Sequence, residues 1–192
     1  MNHSLVLKIA LVLAVVLMIV VGCLARGESM PSFELSDYES ALDKHRGHAR
    51  GIESGLENFR ESFADLTRGD LGERIEALYA EDLYFNDTIH TFHNRDQLRD
   101  YMIKTGRGLD ESMVSIDQVI RDDMDVFVRW TMEFKTRVAG KKVHSKSIGM
   151  TQLRFNEEGQ IVLHQDFWDS GNALFAHLPI VGFVVRSARN QM

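Results

Sequence analysis

Residues 154–169 read RFNEEGQIVLHQDFWD. Asn156-Glu157-Glu158-Gly159 carries turn chemistry, and Ile161 to Trp168 carries the alternation of a strand. In a strand successive side chains point to opposite faces. His164, Asp166 and Trp168 therefore share one face, and Gln165, Phe167 and Asp169 the other. A carboxylate beside an aromatic ring on a pocket-facing strand loses hydration, which favours its neutral form and suits acid–base work. The competing reading is a strand end whose polar residues cap and pair.

Upstream, Val126, Val128, Trp130, Met132 and Phe134 alternate with Phe127, Arg129, Thr131, Glu133 and Lys135, a strand. Ala139-Gly140-Lys141 predicts a hairpin into a strand over 143–155. Residues 114–121 form a weaker strand candidate, and Leu83–Asn86 a short one. Before the strands come helices. Leu42, His45, Ala49, Ile52, Leu56, Phe59, Phe63 and Leu66 recur at steps of three and four, one helix face. Asp37 is its candidate cap. Gly47, Gly51 and Gly55 weaken the run, so 37–51 reads as a mobile stalk and 52–68 as the packing helix. A second helix fits 70–79, and Asn94 is the N-cap of a third that Gly106 and Gly108 close. Helices followed by an antiparallel meander predict an α+β fold, with helices on one face of a curved sheet.

The chain has 192 residues, 26% charged and 44% hydrophobic, with net charge −6 and no basic stripe. Such a composition excludes a disordered chain and argues against a nucleic-acid partner. Residues 9–21, IALVLAVVLMIVV, are uncharged and follow Lys8. A spanning helix wants roughly 20 apolar residues; this run matches a signal-peptide core. Val20-Val21-Gly22-Cys23 resembles a bacterial lipobox, which makes Cys23, the only cysteine, a lipidation site. An uncleaved anchor is the alternative. Either way the domain is expected to be exported and membrane-anchored, on the periplasmic side of a bacterial cell envelope.

The boundaries expected are 1–23 for the signal or anchor, 24–51 for linker and stalk, 52–182 for the domain and 183–192 for a tail. The apolar segment around Ile180–Val185 is expected to pack on the domain or close over its pocket. His90 and His93 read as loop residues with no third ligand nearby, so neither a metal nor another cofactor is expected; His93 is placed at the pocket mouth.

Leu78-Tyr79-Ala80-Glu81-Asp82 with Tyr84-Phe85-Asn86-Asp87 resembles a signature of the nuclear transport factor 2-like superfamily. Within it, the chain is similar to SnoaL-like proteins, as is Ile148–Asp169 to their last hairpin. The resemblance implies a cone: a curved antiparallel or mixed sheet wrapped around N-terminal helices, with a central pocket. Three branches of that superfamily are matched by particular residues. In limonene epoxide hydrolases, Tyr84 and Asn86 would hold water with Asp166, and Arg129 matches their arginine. Thr131 falls where their proton-donating acid stands, and a hydroxyl cannot replace it at neutral pH. In ketosteroid isomerases, Asp87 would be the base, but Ser62 and Thr151 fall at the electrophile positions. In the SnoaL cyclase branch, Asp166 alone would act.

The resemblance therefore implies Asp166, Tyr84, Asn86 and Arg129 as catalytic candidates, and Asp87, Thr131, Thr151, His164 and Trp168 as pocket residues. A structural Asp166–Arg129 ion pair is the competing account. Two functions are carried forward: a tethered module binding a small apolar molecule, and an acid–base enzyme, hydrolase or isomerase in type. If Arg129 and Thr131 look inward, the Val126–Phe134 apolar row looks outward, and a homodimer through that face is expected.

Overall fold

The side-chain pattern of the strands decides this architecture. The computed structural model describes residues 35–138, 140–178 and 181–191. The chain runs through α1 (Leu35–Lys44), a 3-10 turn (Ala49–Gly51), α2 (Ile52–Phe63), α3 (Leu71–Leu78), β1 (Tyr79–Asn86), β2 (Thr91–Asn94) and α4 (Arg95–Arg107). It continues through β3 (Leu109–Asp122), β4 (Asp125–Val138), β5 (Lys141–Phe155), β6 (Ile161–Trp168), α5 (Ser170–Ala173), a 3-10 turn (Phe175–His177) and α6 (Val181–Gln191). The strands form one curved, unclosed mixed sheet in the order β2-β1-β6-β5-β4-β3. Only the β1–β6 pair is parallel, which brings the first long strand beside the last. Segment 1–23, with Cys23, and linker residues 24–34 lie outside the described residues. Among the described residues no helix is long and apolar enough to cross a membrane.

Local rules explain the joints. The Asn94 carboxamide oxygen accepts the amides of Asp96 and Gln97, capping α4. The β5–β6 turn closes at Gly159, whose φ of +82° a side chain would strain. The His90–His93 stretch, expected as loop, contributes instead an edge strand, β2.

Partners across a ladder share a face. Phe85 pairs with His164, His164 with Leu153, and Leu153 with Val126. Asp166 pairs with Thr151 and Thr151 with Val128; Trp168 pairs with Gly149 and Gly149 with Trp130. This inner face meets α2, α3 and α4 in a core built from Ile52, Leu56, Phe59, Leu71, Ile75, Leu78, Leu98 and Met102. Val126 and Val128 belong to this core, and Trp130 and Phe134 are buried on the same face. The expected face assignment for β4 is thus corrected: the apolar row looks inward, and Arg129 and Thr131 look out. A strand has period two, so one wrong choice reverses every residue.

The stalk expected over 37–51 is not loose. Residues 35–44 form α1, which lies on the outer face of the sheet, packing Ala41 with Tyr84 and Leu163. The Tyr38 hydroxyl donates to Gln152 Oε1 at 2.5 Å. Arg154 Nη1 donates to the carbonyls of Leu42 and His45, and its Nε and Nη2 fork onto Asp125 at 2.7 and 2.9 Å. At the other terminus, α6 leaves Val181, Phe183 and Val184 exposed, so it does not bury its apolar side chains in the domain as expected.

Candidate functional site

Asp166 and His164 stand two apart on β6, so both point inward. His164 is almost wholly buried, ringed by Phe59, Phe63, Tyr79 and Phe85 with centroids 4.6–6.0 Å away. Its Nε2 is 3.0 Å from Asp166 Oδ1, and its Nδ1 is 2.8 Å from the Tyr79 hydroxyl. Thr151 donates to the same Asp166 oxygen at 2.5 Å, and Trp130 Nε1 donates to Thr151 at 2.8 Å. The result is one chain: Trp130, Thr151, Asp166, His164, Tyr79.

Donor counting sets the protons in that chain. Burial pushes the Tyr79 hydroxyl well above its ordinary pKa, and the Asp166 and Asp87 charges add to the shift. Tyr79 keeps its proton and must place it on His164 Nδ1, since a buried donor needs an acceptor. Nε2 then carries the imidazole proton and donates it to Asp166. In this arrangement every donor of the chain is engaged. Asp166 Oδ2 accepts no hydrogen bond among the described residues, and its side chain is 16% exposed. This oxygen is the open end of the network.

Asp87 follows directly on the Asn86–Gln165 pair at the end of β1. Its Oδ1 accepts the amides of Ile89 and His90, and its Oδ2 accepts the Tyr101 hydroxyl at 2.5 Å. Trp168 Nε1 donates to the Asp87 carbonyl at 2.8 Å, tying β6 to the end of β1. Burial raises the Tyr101 hydroxyl pKa, reinforced by Asp87 and, more weakly, Asp166. Both carboxylates thus act on the same two tyrosines and belong to one interior. Among the described residues neither pairs with a lysine or an arginine.

Of the residues singled out from sequence, Asp166, His164, Thr151, Trp168 and Asp87 are gathered on this inner side. Tyr84, Asn86, Arg129 and Thr131 are not. Tyr84 donates to Gln165 Oε1 and Gln165 Nε2 donates to Asn86 Oδ1, a ladder on the outer face beside α1. Arg129 is exposed there and forms no pair with Asp166, while Thr131 donates to Asp117. His93 likewise sits outside, against Tyr84 and Asp37, whereas His90 packs on Tyr101. The two histidines diverge, and among the described residues no set of three ligand-type side chains is placed to hold a metal.

Sequence reading missed Tyr79, Tyr101 and Trp130. Tyr79 sits inside the quoted Leu78–Asp87 stretch, but its partner is 85 residues away. Grooves of about 370 Å³ (between the start of α3 and α4) and about 290 Å³ (between Asp65–Thr67 and the β3–β4 edge) open at the periphery, and neither is lined by Asp166. Aromatic rings fill the cone around His164, so the accessible part is the mouth where Asp166 and Trp168 emerge.

A curved, unclosed mixed sheet wrapped on helices is the nuclear transport factor 2-like cone. The chain belongs to the SnoaL-like domain family: that family's profile matches residues 59–164, more than half of the sequence. Solved structures repeat the fold. A proposed SnoaL-like polyketide cyclase from Shewanella denitrificans is similar with TM-score 0.54 at 14% identity, over 72% of this chain and 96% of that one. A protein with a ketosteroid isomerase-like fold from Catenulispora acidiphila, in complex with trimethylamine, has TM-score 0.53 at 18% identity, over 67% and 95%. An NTF2-like protein of unknown function from Exiguobacterium has TM-score 0.51 at 17% identity, over 60% and 98%. At these identities the likeness concerns the fold alone. No curated protein matches the chain in sequence.

Proposed function

We propose that this SnoaL-like domain binds a small, largely apolar molecule at the mouth of its cone, anchored on Asp166. One observation carries the reading. The Thr151 hydroxyl and the two indole N–H groups are engaged, while Asp166 Oδ2 is left as a free acceptor beside aromatic walls. Ligand sites of this kind join apolar lining to a few convergent polar groups.

A second reading, acid–base catalysis with Asp166 as the base, is favoured by the relay behind that oxygen. His164 would orient the carboxylate, and Tyr79 would hold the tautomer. The Ser147 hydroxyl, buried on the same face and unpaired, is the donor left for an electrophilic role. Binding is preferred because the epoxide hydrolase and ketosteroid isomerase sets matched from sequence each lack their proton-donating half, and the cyclase match rests on Asp166 alone.

The proposal includes a tether through residues 9–23, supported by the uncharged run and by Cys23 following Gly22. Mass spectrometry of native protein extracted from bacterial membranes tests both parts. The expected spectrum shows a diacylglyceryl adduct, lost in Cys23→Ser, and a retained small molecule, lost in Asp166→Ala. An unmodified Cys23 would leave only the uncleaved anchor, and a spectrum without any retained molecule would count against binding.

The homodimer expected through the Val126–Phe134 row loses that face, which looks inward, and is proposed instead on the outer sheet face, where Ile148 and Phe167 are 70% and 49% exposed. Sedimentation of the chain lacking residues 1–34 is expected to give a dimer that Ile148→Asp converts to monomer. A wild-type monomer at high concentration rules it out.

A further inference from the structure

We propose that the mouth of the cone takes a small organic cation, a tertiary or quaternary ammonium group held between Asp166 and Asp87 and walled by Trp130 and Trp168. The inference rests on the reading that the mouth binds a small molecule, and it names the ligand's chemical class.

The charge inventory points to a cation. Asp87 accepts three hydrogen bonds and Asp166 two, and neither donates. Both His164 nitrogens are already engaged, by Asp166 Oδ1 and by the Tyr79 hydroxyl, so the imidazole does not reach the open Oδ2. Among the described residues no lysine or arginine pairs with either carboxylate. A neutral apolar ligand seated here would strip water from Asp166 Oδ2 and return nothing, and an uncompensated carboxylate is costly to desolvate. Two like charges on one interior also repel. A bound cation removes both penalties at once.

The walls suit the same ligand. The Trp130 and Trp168 rings stand 6.4 Å apart between centroids, tilted by 54°, and form a corner beside Asp166. Their N–H edges are engaged by Thr151 and the Asp87 carbonyl, which fixes the ring planes. Alkylammonium groups are held by such ring faces together with a carboxylate. Methyl groups around the nitrogen meet the aromatic surface, and the charge meets the acids. A primary ammonium would want three acceptors, whereas only Asp166 Oδ2 is free, so the alkylated nitrogen fits better.

These are the only two tryptophans in the chain, so emission excited selectively at tryptophan reports on this site. The full chain is titrated with choline chloride, with its neutral carbon isostere 3,3-dimethyl-1-butanol, and with sodium chloride at matched ionic strength. Choline is expected to change the emission saturably and to bind about tenfold more tightly than the alcohol. Asp166→Asn is expected to weaken choline about tenfold and leave the alcohol unchanged. Asp87→Asn, which does not touch the Thr151–His164 network, is expected to weaken choline in the same direction. If the alcohol binds as tightly as choline, the cation inference falls while small-molecule binding stands. If neither ligand perturbs the emission, the inference also falls, and the mass spectrum of native protein judges the binding reading independently.

Discussion

Arg154→Ala is expected to lower the unfolding free energy of the domain by about 3 kcal/mol at neutral pH, the scale for breaking a largely buried ion pair by removing one partner. The Arg154 side chain is 14% exposed and that of Asp125 is 23%. The guanidinium is the hub of the outer face. It holds both Asp125 oxygens and the carbonyls of Leu42 and His45, so truncation orphans a carboxylate and the end of α1 together. Arg154→Lys should recover only part of the loss, because a lysine cannot reproduce the planar fork. Lys44→Ala is the contrast. Its pair with Asp82 is more than half exposed on both sides, and the change should stay within about 0.5 kcal/mol.

The effect has a pH signature. Burial by itself would raise the Asp125 carboxyl pKa, but the Arg154 and Gln152 hydrogen bonds and the guanidinium charge outweigh it and hold the group below its usual range. A depressed folded-state pKa contributes stability that is fully present above the unfolded value, about 3.9. That stability is lost as pH falls through the lower folded value. Urea unfolding should therefore show a full gap between wild type and Arg154→Ala at pH 7 and a smaller one near pH 3. An unchanged gap in acid would assign the loss to packing instead.

Gly51→Ala is expected to cost about 3 kcal/mol, the upper end for forcing a methyl into a packed contact. Gly51 has ordinary helical dihedrals, so backbone strain is not the cause. A methyl there would overlap the Asn156 carbonyl oxygen and crowd the Gly159 backbone. Backbone cannot swing aside as the end of a side chain can. Gly55 faces the same hairpin, with the Phe155 ring against it. The start of α2 thus lies flat on the β5–β6 turn, and the change should lower the melting temperature by about 10 °C. Gly69→Ala, with no atom within 4 Å of the added carbon, should be neutral or stabilising by about 0.5 kcal/mol. Equal behaviour of the two variants would rule out the close-approach argument.

Much of this fold is legible in the chain itself. The alternation from Val126 to Lys135, the turn at Asn156–Gly159 and the Asn94 cap each depend on a few neighbours and on backbone geometry. So do the periodic helices around Leu56, Ile75 and Leu98. That level of information also puts His164, Asp166 and Trp168 on one face, and the family resemblance covers the same stretch.

What the sequence could not say is which face of β4 looks inward, because a period of two is symmetric until the helices choose a side. Arg129 was therefore misplaced together with Thr131, while Tyr84 and Asn86 fell to the face that α1 covers. The docking of α1 depends on Arg154, more than 100 residues away from its helix-end carbonyls. The sequence by itself determined the strands, the turns and the grouping of an acid, an imidazole and an indole on β6. Only the tertiary structure decided that Tyr79, brought alongside by the parallel β1–β6 pair, buries its proton on His164. The same packing engages Asp166 Oδ1 and leaves Oδ2 open. Charge compensation and hydrogen-bond satisfaction are properties of the packed interior, and no local stretch of chain encodes them.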